Sequence, residues 1–294
     1  MKHVSKLGTL LFALLSLMIV GCENERPIYE GRNFIMFSTE SHTLGVINDE
    51  EWFEIPVSAS RTADYDRHIG VEVIITESSA IEDMHYKIES HTLTIKAGEL
   101  ATALRIRGIA SALSPNAPVD VKLSLVLDKE DIMNEYSTST VVTLQRCCEF
   151  DINNFVGYAV LTSTWSMQYM NTDARLVRTH LDKEQNVIVI EDMFYEGYDI
   201  RVKLSSEDRL SPLASLYGAQ VLGSTGEAFG TIYGNGKLMV DNPTGSVSYY
   251  STCEGFLLLY TVMYVDEVGT VGNYINILEW ISDEEAERIM REGF

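Results

Sequence analysis

The sequence is short of basic residues: 22 lysines and arginines stand against 43 aspartates and glutamates, and the formal net charge at pH 7 is −21. A surface this acidic repels phosphate backbones and anionic lipid headgroups. We therefore expect no nucleic-acid partner and no attachment to a membrane through charge alone.

Motifs that carry enzyme chemistry are also missing. The sequence has no nucleophile elbow, P-loop, dinucleotide fingerprint or zinc-protease motif. It has no CxxC pair, and no histidine lies three to five residues from another, which removes the usual spacings of zinc ligands. We predict that the protein is not an enzyme and holds no cofactor or metal. A carboxylate pair at glycosidase spacing stays open, because Asp and Glu are abundant.

Long apolar runs are absent apart from one near the start of the sequence, at 7–20. This run of roughly 14 residues follows Lys2 and Lys6, and it is shorter than the about 20 residues that a membrane-spanning helix needs. A short apolar run behind basic residues is typical of a secretory signal. We predict that residues 1–21 are a signal peptide, whose removal leaves 273 of the 294 residues.

The signal ends in Ile19-Val20-Gly21-Cys22, which resembles the lipobox of bacterial lipoproteins. The resemblance implies that Cys22 is lipidated and becomes the first residue of the mature chain, so that 22–32 tethers the protein to a membrane through the lipid. An ordinary signal peptide with an incidental cysteine is the alternative.

Acidic residues follow Cys22 directly and resemble the surface-export signal of lipoproteins from the Bacteroidota. Glu23 and Glu25 carry this resemblance. It implies an outer-membrane lipoprotein that is exposed at the cell surface. A solvated linker without any signal is the alternative.

Three further cysteines are present, Cys147, Cys148 and Cys253. An export route permits a disulfide, in which Cys253 pairs with either member of the adjacent pair. Three reduced, mostly buried thiols are the alternative that we favour, because an odd number leaves one cysteine unpaired in any case.

Residues 33–146 show apolar and polar residues that alternate with a period of two, as where Val121 and Leu123 flank Lys122. This period is the mark of a half-buried β-strand. Roughly seven such stretches occur, without a convincing amphipathic helix. They predict an all-β domain with an immunoglobulin-like sandwich fold.

Part of this domain resembles the Calx-beta family. The stretches that carry the resemblance are 80–86, which ends in His85-Tyr86, then 93–99 with its Gly98-Glu99 turn, and 104–106. The usual glycine of that family is Asp83 here, and the usual aspartate is His85. The calcium binding of some members is therefore not carried over. We expect the acidic loop residues to form a solvated surface rather than an ion site: Asp49, Glu50, Glu51, Asp64, Asp66, Asp128 and Asp131.

The alternation breaks at 147–150, and we place a second domain at 151–294. Its candidate strands are 155–164, 174–180, 187–191, 198–205, 228–233, 237–241, 246–250, 256–265 and 274–280. Consecutive strands with short turns predict an antiparallel β-barrel or a second sandwich. The opening 155–158 resembles the start of lipocalin-like domains, in which a glycine lets the first strand bend.

Two local signals in this domain are specific. Asn235-Gly236 predicts a two-residue hairpin, since a type I′ turn needs positive φ at both positions. Ser282 and Glu285 form a capping box, which predicts a short helix at the C-terminal end of the domain.

Aromatic residues are concentrated in the second domain, which holds eleven of the fifteen tyrosines between positions 158 and 274. Aromatic rings with polar groups suit sugar stacking, although core packing is the alternative for each residue. The candidates nearest predicted loops, and so expected outside the core, are Trp165, Tyr169, Tyr195, Tyr217 and Tyr233.

The plan as a whole is similar to lipoproteins of gut Bacteroidota, many of which sit beside glycan-uptake systems. The resemblance implies noncatalytic binding at the cell surface, with a polysaccharide as the partner and the first domain as a spacer. The alternatives are a carrier with a small apolar ligand inside a barrel cavity, and a structural or adhesion protein with a surface protein complex as its partner.

Overall fold

The computed structural model describes residues 31–128 and 138–294. The predicted signal peptide, Cys22 and most of the tether lie outside the described residues, as does Asp131.

Two sheets built from residues 35–146 face each other as a sandwich. The first has the strand order β1-β3-β7-β5 and the second has the order β2-β9-β8-β4-β6. Among the named strands of the described residues, only the pair of β2 with β9 is parallel. The strands are β1 Ile35–Phe37, β2 Ser41–Val46, β3 Phe53–Ala59, β4 Arg67–Val73, β5 Tyr86–Ile88, β6 Thr92–Ile95, β7 Ala101–Gly108, β8 Val119–Val126 and β9 Ser139–Arg146.

The predicted alternation produces the core between these sheets. Ile55 and Val57 of β3, and Val121 and Leu123 of β8, are fully buried in one apolar cluster, while the residues between them stay partly or fully exposed. The prediction of a sandwich is confirmed, with nine strands instead of roughly seven.

A closed ring of eight antiparallel strands follows, in the order β10-β11-β12-β13-β14-β17-β18-β19, and β19 pairs with both β18 and β10. Between the two alternatives, the barrel is therefore the one observed. Its strands are β10 Gly157–Ser163, β11 Ala174–Asp182, β12 Val187–Glu191, β13 Ile200–Ser205, β14 Leu213–Leu216, β17 Ser248–Ser251, β18 Phe256–Val265 and β19 Gly269–Ile281.

An extra hairpin is attached to the edge of β18. It consists of β15 Gln220–Ser224 and β16 Lys237–Asp241, with the short helix α1 Thr225–Phe229 between them. The predicted strand at 228–233 is wrong, because the side chain of Ser224 accepts a hydrogen bond from Gly226 N and starts a helix there. The two-residue hairpin at Asn235-Gly236 is also wrong, since Ser224 pairs with Lys237 across a longer loop.

The barrel interior is filled by side chains. Leu161, Ile190, Val202, Leu259 and Leu278 come from five different strands, and all are fully buried in one cluster. A hollow interior was the requirement for a carrier of a small apolar ligand. The filled interior therefore gives that alternative no support.

The C-terminal helix α2 spans Asp283–Glu292 and begins where predicted. The Ser282 side chain accepts a hydrogen bond from Glu285 N at 3.2 Å, and Ala286 and Ile289 are buried. Neither this helix nor any other within 31–128 and 138–294 has the length and apolar character needed to cross a lipid bilayer.

Cys148 and Cys253 form a disulfide, and Cys147 is a buried free thiol. The favoured prediction of three reduced thiols is therefore wrong. The bonded residues are 105 positions apart, with Cα atoms separated by 5.2 Å. The Cys147 thiol lies on the other side of the chain, where it donates to the Arg209 carbonyl oxygen at 3.4 Å.

Arg209 connects the sandwich to the barrel. Its two terminal nitrogens donate to the two carboxylate oxygens of Glu51 at 2.6 and 3.2 Å, and Nη1 also donates to Gly45 O at 3.2 Å. On the same side, Thr252 Oγ1 donates to Cys148 O at 3.2 Å. We call this side of the barrel, where β17 joins β18, the near end.

We expect Cys253→Ser to lower the free energy of unfolding by about 2–5 kcal/mol, because the disulfide closes a long loop. Urea denaturation under nonreducing conditions measures the change. Cys147→Ser is the matched control, since it removes a buried thiol without removing a cross-link, and it should have a clearly smaller effect. Equal losses in both variants would contradict the assignment of the bonded pair.

Candidate functional site

Loops at the barrel end opposite the near end carry four partly or fully exposed aromatic residues, Tyr169, Tyr198, Phe229 and Tyr233. These loops are 164–173, 192–199, 225–236 and 266–268. We call this side the distal end. It faces away from the disulfide and from the contacts with the sandwich.

Five rings at the distal end form an aromatic cluster, consisting of Trp165, Tyr169, Phe229, Tyr233 and Tyr274. Trp165 stacks on Tyr169 with ring centroids 4.2 Å apart and meets Tyr274 edge-on at 5.1 Å. Phe229 then contacts Tyr169 at 5.6 Å and Tyr233 at 5.9 Å. The cluster therefore runs from the buried core of the barrel to its surface.

The chain places Tyr169 through a π-helical turn, Ser166–Met170. The turn begins with two hydrogen bonds that involve Ser163: its hydroxyl accepts from Trp165 N at 3.1 Å, and its carbonyl oxygen accepts from Ser166 Oγ at 3.0 Å. It ends at Asn171, which adopts a left-handed conformation with φ 51°. Such turns inside regular structure are frequent at functional sites.

A buried polar network under the cluster fixes Ser163 in turn. The Asn276 side chain of β19 accepts from Ser163 Oγ at 2.7 Å, and its nitrogen donates to Leu259 O at 3.0 Å and to Thr261 Oγ1 at 3.1 Å. All three polar side chains are buried. Because a buried polar group without partners is costly, this network holds one arrangement of β10, β18 and β19.

The other half of the cluster is placed by α1 and the turn after it. Gly230 ends the helix in the left-handed region with φ 71°. Gly234 has φ 54°, and a Cβ atom there would lie 2.9 Å from the Val268 side chain. Only glycine allows both the conformation and this close approach, which brings Tyr233 next to the β18–β19 turn.

A cleft of about 310 Å³ opens between α1 with its following turn and the β18–β19 turn. It is lined by Phe229, Tyr233, Val265, Val268, Gly269, Thr270 and Val271. Tyr233 and Val268 are 46% and 57% exposed, and neighbouring Ile232 is 75% exposed. Exposed apolar side chains beside a concave surface are typical of a binding site.

The five candidate residues fall into three groups. Tyr169 and Tyr233 lie in the aromatic cluster and are partly exposed. Trp165 and Tyr195 are buried members of the barrel core, so the expectation that they lie outside the core was wrong. Tyr217 is exposed in the turn after β14 and makes no ring contact with the cluster in the part of the chain described.

Local hydrogen bonds hold Trp165 in the core, and burial there changes the pKa of two neighbouring tyrosines. Trp165 is held against the interior by the Ser163 hydrogen bonds, and its indole nitrogen has no well-formed partner. Burial raises the pKa of the Tyr195 hydroxyl, an effect that the nearby Trp165 indole N–H opposes. Burial, with the neighbouring Tyr169 hydroxyl, also raises the pKa of Tyr274. Tyr195 and Tyr274 thus remain neutral at neutral pH.

The sequence interpretation did not identify Phe229, Ile232 or Val268 as part of a site. A signal was present for Ile232, an apolar residue among turn-forming glycines. No such signal marks Phe229, whose neighbours were interpreted as a strand.

Metal ligands do not gather in the described ranges, where no three His, Cys, Asp or Glu side chains are positioned to share an ion. The sandwich carboxylates make separate contacts instead. Asp49 Oδ1 accepts from Ala110 N at 2.6 Å, and Asp66 Oδ2 accepts from Lys96 Nζ at 2.8 Å.

A family model described as a domain of unknown function, DUF4984, matches residues 135–292. No curated protein matches the chain.

The solved structures that are similar to the chain include these three. A protein of unknown function from Bacteroides ovatus is 12% identical, with 84% of this chain and 89% of that chain covered and a TM-score of 0.37. The apo form of the Calx CBD1 domain is 14% identical, with 40% and 98% covered and a TM-score of 0.33. An auxiliary nutrient binding protein from Bacteroides thetaiotaomicron is 12% identical, with 82% and 90% covered and a TM-score of 0.29.

We expect Asn276→Leu to lower the free energy of unfolding by about 1–3 kcal/mol, because Ser163, Thr261 and Leu259 O each lose a buried partner. The near-UV circular dichroism of the folded variant should also change as Trp165 loses its fixed position. Asn273→Leu, at an exposed position of the same strand, is the control and should stay within about 0.5 kcal/mol. If both variants unfold alike, the network does not hold the site.

Proposed function

The chain belongs to the DUF4984 family, a domain of unknown function, and we propose that the protein is noncatalytic and binds a glycan. The proposed binding site is the distal end of the barrel. The observation that carries the proposal is the half-exposed ring of Tyr233 in an apolar cleft, where it packs edge-on against Phe229.

The chemistry of the cleft suits a sugar. One face of a pyranose ring is apolar and stacks on an aromatic ring, while its hydroxyls bond to phenol oxygens and backbone groups. Phe229, which lines the cleft, is held edge-on against both Tyr169 and Tyr233, so little side-chain freedom is lost on binding. Preorganisation of this kind raises affinity.

The lining of the cleft supports a noncatalytic role. It consists of aromatic, aliphatic, glycine and threonine residues, without a carboxylate or a histidine. Hydrolysis of a glycoside uses two carboxyl groups that flank the bond. The cleft as described offers surface for binding but no acid or base.

The proposal includes the cell surface. Lipidation at Cys22 would hold the mature chain at the outer membrane, with the sandwich as a spacer. The disulfide between Cys148 and Cys253 supports export, since such bonds persist in oxidising compartments. The position of the cleft at the distal end also supports it, because the sandwich contacts the opposite end of the barrel.

We expect Tyr233→Ala to weaken retardation of the soluble chain about tenfold in affinity gels that carry a recognised polysaccharide. Loss of a buried aromatic face removes about 1–2 kcal/mol, and 1.4 kcal/mol corresponds to tenfold. Tyr249→Ala is the matched control: Tyr249 is 41% exposed and meets Phe256 edge-on at 6.0 Å, much as Tyr233 meets Phe229. It should bind like the unaltered chain.

Two results would contradict the glycan proposal. Absence of retardation across host, dietary and microbial polysaccharides would transfer support to a protein partner at the same apolar cleft. Equal weakening by Tyr233→Ala and Tyr249→Ala would show that binding, where it occurs, uses another surface.

Replacement of the predicted lipidation site tests the localisation. We expect Cys22→Ala to abolish metabolic labelling by a fatty-acid analogue and to move the protein from the membrane pellet to the soluble fraction, because the lipid is the proposed anchor. Cys147→Ala should leave both readouts unchanged. Continued labelling of the Cys22 variant would refute the lipoprotein assignment.

A further inference from the structure

Arg175 points into the barrel at its distal end. Along β11, Val177 and Thr179 face the interior and are buried, whereas Arg178 and His180 face outward and are exposed. Arg175 shares the face of Val177 and pairs with Leu161, which is fully buried. An inward-facing cation at the rim of a filled barrel is unusual, because the buried side chains of the barrel interior are apolar or neutral polar groups.

No carboxylate of residues 31–128 and 138–294 pairs with this guanidinium. Nη1 donates to Phe194 O at 2.6 Å and contacts Met170 Sδ at 3.4 Å. No ion pair within 4.0 Å involves Arg175 in the described ranges, and its other nitrogens are neither hydrogen-bonded there nor fully buried. Part of the guanidinium fork thus remains open to a ligand.

Partial burial of the Arg175 charge is unfavourable as long as no counter-charge lies within ion-pair distance of it. Burial lowers the pKa of Arg175, an effect that Tyr195 and Asp192 only partly oppose from a greater distance. A charge removed from water needs a counter-charge. The guanidinium fork fits a carboxylate through two parallel hydrogen bonds, so a carboxylate ligand would supply what the protein does not.

Arg175 contacts residues that adjoin the aromatic cluster. Met170, which contacts the guanidinium, follows Tyr169 in the π-helical turn. Phe194, whose carbonyl oxygen anchors Nη1, has its ring 6.4 Å from Trp165. Because Phe229 of the cleft lining also contacts Trp165 and Tyr169, a ligand that reaches both Arg175 and the cleft would be a chain of several sugars.

We propose that Arg175 binds the carboxylate of an acidic sugar, so that the ligand of the distal end is a uronic-acid-containing oligosaccharide. This inference rests on the proposed glycan binding and names the class of glycan. The net charge of −21 repels dense polyanions at long range. The preferred ligand should therefore carry isolated acidic sugars among neutral ones.

Calorimetric titration of the full mature protein tests the inference. The probes are oligosaccharides from glucuronoxylan, hyaluronan, alginate and polygalacturonate, each compared with its carboxyl-reduced form, which keeps the sugar faces and loses the charge. We expect at least one acidic form to bind, and its reduced form to bind at least tenfold more weakly. Among the four, glucuronoxylan has the most widely spaced acidic groups and should bind best.

Variants assign the effect to one side chain. Arg175→Gln keeps a donor for Phe194 O and should remove the preference for the acidic form, while Arg175→Lys should keep part of it. Arg178→Gln is the control, because Arg178 lies three residues along the same strand and faces outward. It should keep the full preference. Melting temperatures establish that all variants are folded. The comparison of acidic with carboxyl-reduced oligosaccharides uses the unaltered protein and therefore does not depend on any variant.

The possible failures are distinct. Equal binding of acidic and reduced forms, lost with Tyr233→Ala, would overturn the role of Arg175 and leave glycan binding in place. Loss of preference in Arg178→Gln as well would also overturn it. Absence of binding by every acidic, reduced and neutral glycan would contradict both proposals.

Discussion

The buried amide of Asn276 is the interaction on which the functional part of the barrel depends. It ties the strand that closes the ring, β19, to both of its neighbours, through Ser163 on one side and through Leu259 O and Thr261 on the other. A purely apolar side chain would fill the same space without fixing the strands relative to one another. The Ser163 hydroxyl also accepts a hydrogen bond from the Trp165 backbone amide. The same residue therefore takes part in closing the barrel and in positioning the aromatic cluster.

A filled barrel leaves its ends as the places where a ligand can bind. The near end carries the disulfide and the Arg209 contacts with Glu51 and Gly45, and its cleft of about 300 Å³ lies against the sandwich. The distal end instead carries long loops in which Tyr169, Phe229 and Tyr233 are only partly covered by their neighbours. The strands thus provide rigidity and the loops provide the chemistry, which is the usual division in proteins that bind ligands on a scaffold.

Much of the architecture could be predicted from the sequence, because it depends on local patterns. Strand-like apolar stretches located 187–191, 237–241 and 256–265 with the bounds that the structure has, and the capping box located α2. The errors occurred where contacts beyond the local pattern decide. Asn235-Gly236 suggested a short hairpin, but the cap at Ser224 and the space beside Val268 favour a helix and a longer loop. The choice between Cys147 and Cys148 depends on which way each side chain points at the end of β9.

The site was harder to predict than the fold. Aromatic content pointed to the domain that holds the aromatic cluster and to three of its residues, Trp165, Tyr169 and Tyr233, but a sequence does not show which rings are covered by neighbouring chain segments. Trp165 and Tyr195 are covered in this way. Arg175 carries no sequence signal, because its significance comes from the inward direction of its strand position and from the lack of a carboxylate within ion-pair distance among the described residues.

The disulfide also has a mechanical consequence. Cys253 lies in the turn between β17 and β18, and Cys148 lies just before the segment that leads into β10. When the protein is pulled between its N-terminal side and a ligand at the distal end, the load enters the barrel at the β17–β18 turn and bypasses residues 149–156. The hydrogen bonds between the first strand of the barrel and its neighbours are then not broken one after another. The disulfide therefore protects this strand from a force applied to the N-terminal side of the chain.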